Sequence, residues 1–360
     1  MRFVTLFPQG ANIHLIKDVG QIPYTLKKEF GIEAALISNG ICIEGSHFGD
    51  VQGLEIDDLP FKWCGWKIGS FFYLLKNAKG INWLNLYHYG KRSYYWTRFY
   101  KFINPNGKVY LKLDMDLQSC DALDNSLKVR NLFSKCLNVM DLVSVESSTV
   151  LQRIQRYTKK KIILIPNGYM FEGGKWDITE KENIFLTVGR LGTKQKATEV
   201  LLEAFAICRG RQNWKLKLIG SVENEFKQYI EEYFLKYPDL VGRVEFVGVI
   251  NDRKILAEEY RKAKIFVLPS RWEASAIVLP EAASQGCKII VTSAVPACKD
   301  FTRESKFGEI VPPDNVGCLG DVMERMANSY DNSDVANEIA ANARQNFSWE
   351  NICKVIFRYL

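Results

Sequence analysis

The chain has 360 residues, 47% hydrophobic and 25% charged, which is ordinary for a globular protein and long enough for two domains. No run approaches the ~18 apolar residues of a membrane helix, and no signal-peptide apolar core precedes Pro8 and Gly10, so a cytoplasmic location is expected. The net charge of +7 is uneven: 22 Lys+Arg against 14 Asp+Glu up to Asn167, then 26 against 27, and a basic first half can meet nucleic acid, an anionic membrane surface or an acidic substrate.

In chain order, apolar runs at 3–7, 34–38, 83–87, 109–113, 142–145 and 162–165 read as strands. Helical patterns fall between them at 22–30, 123–138 and 147–157. Alternating strands and helices imply a parallel sheet with right-handed crossovers. Pro166-Asn167-Gly168 is a turn, and the polar stretch 169–182 reads as a linker. A second series follows, with strands at 184–188, 216–219, 244–246, 265–268 and 289–291 and helices at 198–208, 225–236 and 252–263. A last amphipathic helix after Ser348 either caps the second domain or crosses back to the first. The division expected is 1–168, 169–345 and a C-terminal helix at 346–360. Nine cysteines without a C-x-x-C pair, and three histidines far apart (His14, His47, His88), argue for reduced thiols and against a structural zinc site.

Chemistry concentrates at strand ends. After the strand ending at Leu268, a loop carries Glu273, and the next helix carries Glu281 in its first turns, with Pro280 early and Gly286 as the stop. Open α/β sheets bind ligands at that edge, and two carboxylates there can accept hydrogen bonds from a polyol. The plain alternative is a solvated loop residue and a favourable charge at a helix start. The strand 184–188 ends in Gly189-Arg190-Leu191-Gly192, followed by Lys194 and Lys196 and then a helix. Such a junction suits a pyrophosphate, with Arg190 as a planar fork and Lys196 as a point charge. A basic loop beside a helix start is the plain alternative.

Gly189-Arg190, then Lys196, then Glu273 and Glu281 with seven residues between them, resembles glycosyltransferase family 4 of the capsular or surface polysaccharide type. The likeness covers the second half of the chain. It implies an α/β GT-B fold, with two doubly wound Rossmann-like domains facing across a cleft, the first for the acceptor and the second for the nucleotide sugar. It implies a retaining hexosyltransferase that uses a nucleotide-diphosphate sugar and needs neither metal nor cofactor. By the same resemblance Arg190 and Lys196 hold the diphosphate, Glu281 takes the ribose hydroxyls and Glu273 contacts the transferred sugar. Ala274, Ser275 and Ala276 offer backbone N–H groups, and the strand end Gly248-Val249-Ile250 cradles the base. The family often has a glycine and an aromatic after the first glutamate, and Ala-Ser-Ala here leaves the donor sugar open.

In the first half, Gly10 lies in the loop after the first strand, where the resemblance puts donor phosphates. His88 resembles a family histidine near the transferred sugar. Lys112, Asp114 and Asp116, at another strand end, are candidates for acceptor hydroxyls, beside the alternative of polar residues that merely end a strand. Residues 87–102, with Phe61-Lys62-Trp63 and Trp66-Lys67, are dense in aromatics and cations. They suggest peripheral contact with an anionic membrane or a lipid-linked acceptor, or stacking of sugars or single-stranded nucleic acid, beside the reading of a helix with its aromatics in the core. The partners expected are a nucleotide-diphosphate sugar and a glycan or lipid-linked acceptor, with no nucleic acid. The alternatives are a non-catalytic binder of nucleic acid or anionic surfaces, although no standard nucleic-acid module is present, and a nucleotide-sugar epimerase of the same fold.

Overall fold

The computed structural model describes residues 1–42, 45–60, 65–171, 181–210, 212–330 and 334–360. Phe61, Lys62 and Trp63, and most of the stretch read as a linker, lie outside the described residues. The chain divides into two compact units, Met1–Gly168 with Ser348–Leu360, and Tyr169–Phe347.

In chain order the first unit contains β1 (Arg2–Leu6), α1 (Asp18–Phe30), β2 (Glu33–Ile37), β3 (Glu55–Asp57), α2 (Gly65–Asn77), β4 (Trp83–Tyr87) and α3 (Lys91–Ile103). It continues with β5 (Lys108–Lys112), α4 (Leu117–Asn125), α5 (Leu127–Asn138), β6 (Leu142–Val145), α6 (Ser148–Ile154) and β7 (Ile163–Leu164). The second unit has β8 (Glu182–Val188), α7 (Thr198–Ile207), β9 (Lys215–Ile219), α8 (Phe226–Lys236), β10 (Val244–Gly248), α9 (Arg253–Lys262) and β11 (Ala263–Leu268). It closes with α10 (Val278–Ser284), β12 (Lys288–Thr292), α11 (Cys298–Thr302), β13 (Gly308–Val311), α12 (Val316–Asn328) and α13 (Asp334–Phe347). The final helix, α14 (Trp349–Phe357), belongs to the first unit.

Both sheets are parallel, in the orders β3-β2-β1-β4-β5-β6-β7 and β10-β9-β8-β11-β12-β13. Each order reverses once, beside its first strand, as in a doubly wound dinucleotide-type domain. The second sheet shows why its strands read as unbroken apolar runs. Phe185, Ile265, Val267 and Ile290 enter the core on one face, and Leu186, Phe266, Ile289 and Val291 enter the core on the other. Burial on both faces removes the polar alternation of a half-exposed strand.

Three expectations need correction. The helix read at 123–138 is two helices, because Ser126 turns extended and its hydroxyl accepts from Val129 N–H, starting α5 afresh. β3 and β13 were not expected: one is a short polar edge strand (Glu55-Ile56-Asp57) and the other is only four residues long. The linker begins later than Tyr169, since Tyr169 and Phe171 are buried in the second unit's core.

Helix α14 packs on α1. Phe357 stacks on Phe30 with ring centroids 5.0 Å apart, and Trp349, Ile352, Cys353 and Ile356 are buried. Gly168 leaves room for the Trp349 indole, which a Cβ there would meet at 2.6 Å. Among the described residues no helix is long and apolar enough to cross a membrane.

Candidate functional site

In the second unit the strand order reverses between β8 and β11. The loops leaving the carboxyl ends of such neighbours are where open α/β sheets bind their ligands. The β8 loop brings Gly189, Arg190 and Lys196, and the β11 loop brings Ser270 and Glu273.

These side chains form one network. Lys196 Nζ lies 2.5 Å from Glu273 Oε1, which also accepts from Ser270 Oγ at 2.7 Å. Gln195 Nε2 donates to Glu273 Oε2 at 3.2 Å and to the Trp272 carbonyl at 3.0 Å. Arg190 Nη2 reaches Gln195 Oε1 at 3.3 Å and is otherwise exposed. Arg271 ties the two loops together. Its backbone N–H donates to the Gln195 carbonyl at 2.8 Å, its guanidinium to the Lys194 carbonyl at 2.7 Å, and it pairs with Glu199 and Asp314. Four residues of this network (Gln195, Ser270, Arg271 and Glu199) carry no sequence signal of their own.

Glycines line the same edge. Gly189, Gly220 and Gly248 sit at the carboxyl ends of the adjacent strands β8, β9 and β10. Gly220 has φ +138°, and a Cβ there would fall 1.8 Å from the Gly189 carbonyl oxygen. A Cβ on Gly189 would meet the Lys196 stem at 3.3 Å. Glycine at 220 thus lets the β9 loop close against the Gly189 carbonyl, and glycine at 189 makes room for the Lys196 stem. Val249, just beyond Gly248, is 59% exposed. Ala274 and Ser275 are half-buried, while Ala276 is buried in the core.

Glu281 lies in α10, which Gly286 ends at φ +74° in the left-handed conformation. The carboxylate is only 3% exposed. Oε1 pairs with Arg253 Nη1 at 3.0 Å and Oε2 accepts from Tyr260 OH at 3.1 Å, both groups on α9. Burial raises its pKa, and Arg253 and Tyr260 oppose that rise. Neither partner was expected from sequence. A carboxylate accepts about four hydrogen bonds, so capacity remains beside these two.

The first unit carries its own cluster at the carboxyl edge. Gly10 N–H donates to Ser38 Oγ at 2.9 Å, and a Cβ on Gly10 would lie 2.2 Å from that oxygen, so Gly10 serves close loop packing. His88 is an exposed residue with φ +59°, held by its N–H to the Lys112 carbonyl at 3.0 Å. Desolvation of the ring lowers its pKa, and Asp18 and Glu146 pull the other way. His14 stands beside it across Phe7, with Phe7 ring centroids 5.0 Å from His14 and 6.5 Å from His88.

Lys112 is not placed to meet an acceptor. It is 0% exposed and bonded to Glu146 at 2.9 Å, Asp18 at 3.3 Å and Asn167 Oδ1 at 2.7 Å. Burial alone would lower its pKa, but Glu146 and Asp18 reverse this and hold it protonated. Its role is to tie three segments together beneath the edge. Asp116 is likewise committed, capping α4 through Ser119 N–H at 2.7 Å. Asp114 stays half-buried at φ +47°, its N–H on Glu146 Oε1 at 3.1 Å. Burial, then Glu146 and Asp18, push its pKa up to about 7. Among the described residues no group of three or more His, Cys, Asp or Glu is arranged to hold a metal.

Residues 171–346 match the family described as Glycosyl transferases group 1. An uncharacterized glycosyltransferase of Methanocaldococcus jannaschii is 28% identical over 178 residues, 49% of this chain and 44% of that protein. The chain thus spans less than half the length of that relative. Over the whole chain, two solved structures are alike in fold. They are the lipopolysaccharide outer core galactosyltransferase WaaB (TM-score 0.73, 14% identity, 100% of both chains) and Anabaena HepE in complex with UDP (TM-score 0.71, 15% identity, 99% of both). The fold is therefore that of GT-B glycosyltransferases, with a glycosyltransferase group 1 domain at 171–346.

Proposed function

We propose that the protein is a retaining, metal-independent hexosyltransferase, moving a sugar from a nucleotide-diphosphate donor to a glycan or lipid-linked acceptor. The carrying observation is the Arg190-Gln195-Lys196-Glu273-Ser270 network at the strand-order reversal of a group 1 domain. Breaking the anomeric bond builds negative charge on the leaving diphosphate. Lys196, held by Glu273 before the donor arrives, and the exposed Arg190 beside it are the cations for that charge, and such electrostatic stabilisation is usually the largest lever on the barrier. Glu273, already fixed by three donors, contacts the transferred sugar. Glu281 takes the ribose hydroxyls with its remaining lone pairs, and the exposed turn at Val249 meets the base. Retention needs no dedicated protein base when the departing phosphate accepts the acceptor's proton on the same face. We place this work in the cytoplasm, in surface-polysaccharide assembly, a reading supported by the fold-level likeness to WaaB.

The test starts with thermal shifts against UDP-, GDP-, ADP- and CMP-sugars, UDP first because HepE was solved with UDP. A ~100-fold excess over Kd should add ~2.7 kcal/mol of stability. With the donor found, Lys196→Ala and Glu273→Gln should each lower kcat by roughly 10²–10³ while melting near the parent. Parent-like turnover in both variants would end this reading.

A further inference from the structure

Residues 59–113 contain ten Lys+Arg and not one Asp or Glu. Helices α2 and α3 are built from this acid-free run. Each buries one face: Tyr73 and Leu74 on α2, Trp96 and Tyr100 on α3. Each also turns apolar side chains outward, with Ile68 49%, Leu75 58% and Phe102 84% exposed. A helix that needed only to cover a sheet would carry polar residues there.

Between the helices runs an open groove of about 490 Å³, lined by Phe71, Tyr95, Trp96 and Phe99 with Lys67, Lys91, Arg92 and Arg98. Along it Phe71 packs edge-on against Phe99 and Trp66 against Trp96. Arg92 and Lys67 lie over the Trp66 ring at 4.8 and 5.5 Å. Among the described residues none of Lys67, Lys91, Arg92 and Arg98 has a carboxylate within ion-pair distance. Four cations left without counter-charge beside outward aliphatic and aromatic residues form an interfacial pattern.

We propose that the α2–α3 face docks on an anionic phospholipid bilayer, lipid phosphates meeting the groove cations and Ile68, Leu75 and Phe102 entering the headgroup–acyl boundary. Charge complementarity selects an anionic partner, and the aliphatic residues select a bilayer. Ile68 and Leu75 have no ring on which a nucleic-acid base could stack, but they gain from leaving water for hydrocarbon. α3 starts three residues after His88, so the groove begins at the same sheet edge as the first unit's cluster. The inference does not depend on sugar transfer.

The test is co-sedimentation of the full chain with phosphatidylcholine vesicles, with and without phosphatidylglycerol, at low and at raised salt. Binding should need phosphatidylglycerol and weaken with salt. Arg92→Glu with Arg98→Glu should reduce it about tenfold or more, at about 1 kcal/mol per cation. Ile68→Ser with Leu75→Ser should remove the portion that survives salt. All four positions are exposed, so melting should stay at the parent value; if one pair melts early, the other still decides. The proposal is overturned by absence of binding, by equal binding to both vesicle types, by parent-like binding of a well-folded pair, or by single-stranded RNA displacing the protein from vesicles.

Discussion

Lys112, Asp114 and Asp116 leave one strand end within five residues, and burial gives each a different task. Lys112 is sealed against Asp18 and Glu146, and Asp116 caps a helix. Asp114 is pushed up to about 7 from an ordinary 3.8, chiefly by burial and then by those same two acids. The folded state therefore holds a proton on Asp114 at pH values where the unfolded chain has lost it. Stability should fall as pH rises from about 4 to about 7, where folding binds more protons than unfolding. Asp114→Asn should flatten that slope and stabilise the protein relative to the parent at pH 8, as measured by urea denaturation at a series of pH values. A steeper slope in the variant would contradict the assignment. The end of the apolar run 109–113 marks Asp114 as a strand-end residue, but no local pattern shows that two further acids converge on it.

At the scale of elements, the second sheet's carboxyl edge depends on backbone approach. Gly220 sits at φ +138° against the Gly189 carbonyl, a combination only glycine accommodates. Gly220→Ala should cost roughly 2 kcal/mol or more, from strain at that φ and displacement of the β8 loop. Gly242→Ala, at φ +80° with open space around it, should cost about 1 kcal/mol, from backbone strain alone. Chemical denaturation of the two variants separates these outcomes, and equal losses would mean the Gly189 contact does not constrain the edge. Gly189 and Gly192 stand out in sequence beside Arg190, whereas Gly220 follows an ordinary strand and gains meaning only when β9 is set beside β8. Elements with long apolar runs were legible for the matching reason: burial on both faces leaves no alternation to misread. β3, polar and at the sheet edge, had no such signal.

The whole molecule is a chain that leaves its first unit at Gly168 and returns to it at Ser348. The returning helix buries Trp349, Ile352, Cys353 and Ile356, apolar side chains of which each large one is worth roughly 1.5–3 kcal/mol as an upper bound. Deletion of 348–360 should therefore loosen the first unit and spare the second. Hydrogen exchange should show faster exchange in α1 and β4 with unchanged protection in β8 and β11, and uniform protection loss would refute the division.

The order of apolar runs and turns by itself determined two parallel α/β sheets, their strand-end loops, and the glycines, cations and carboxylates those loops carry. That much is local, because strand and helix periods are set by backbone geometry. Only the tertiary structure decided which charges meet. Lys196 finds Glu273 across 77 positions, Glu281 is closed by Arg253 and Tyr260, and Lys112 is removed from solvent altogether. Those pairings depend on which strands become neighbours and in what register, and that choice is made by the burial of whole faces.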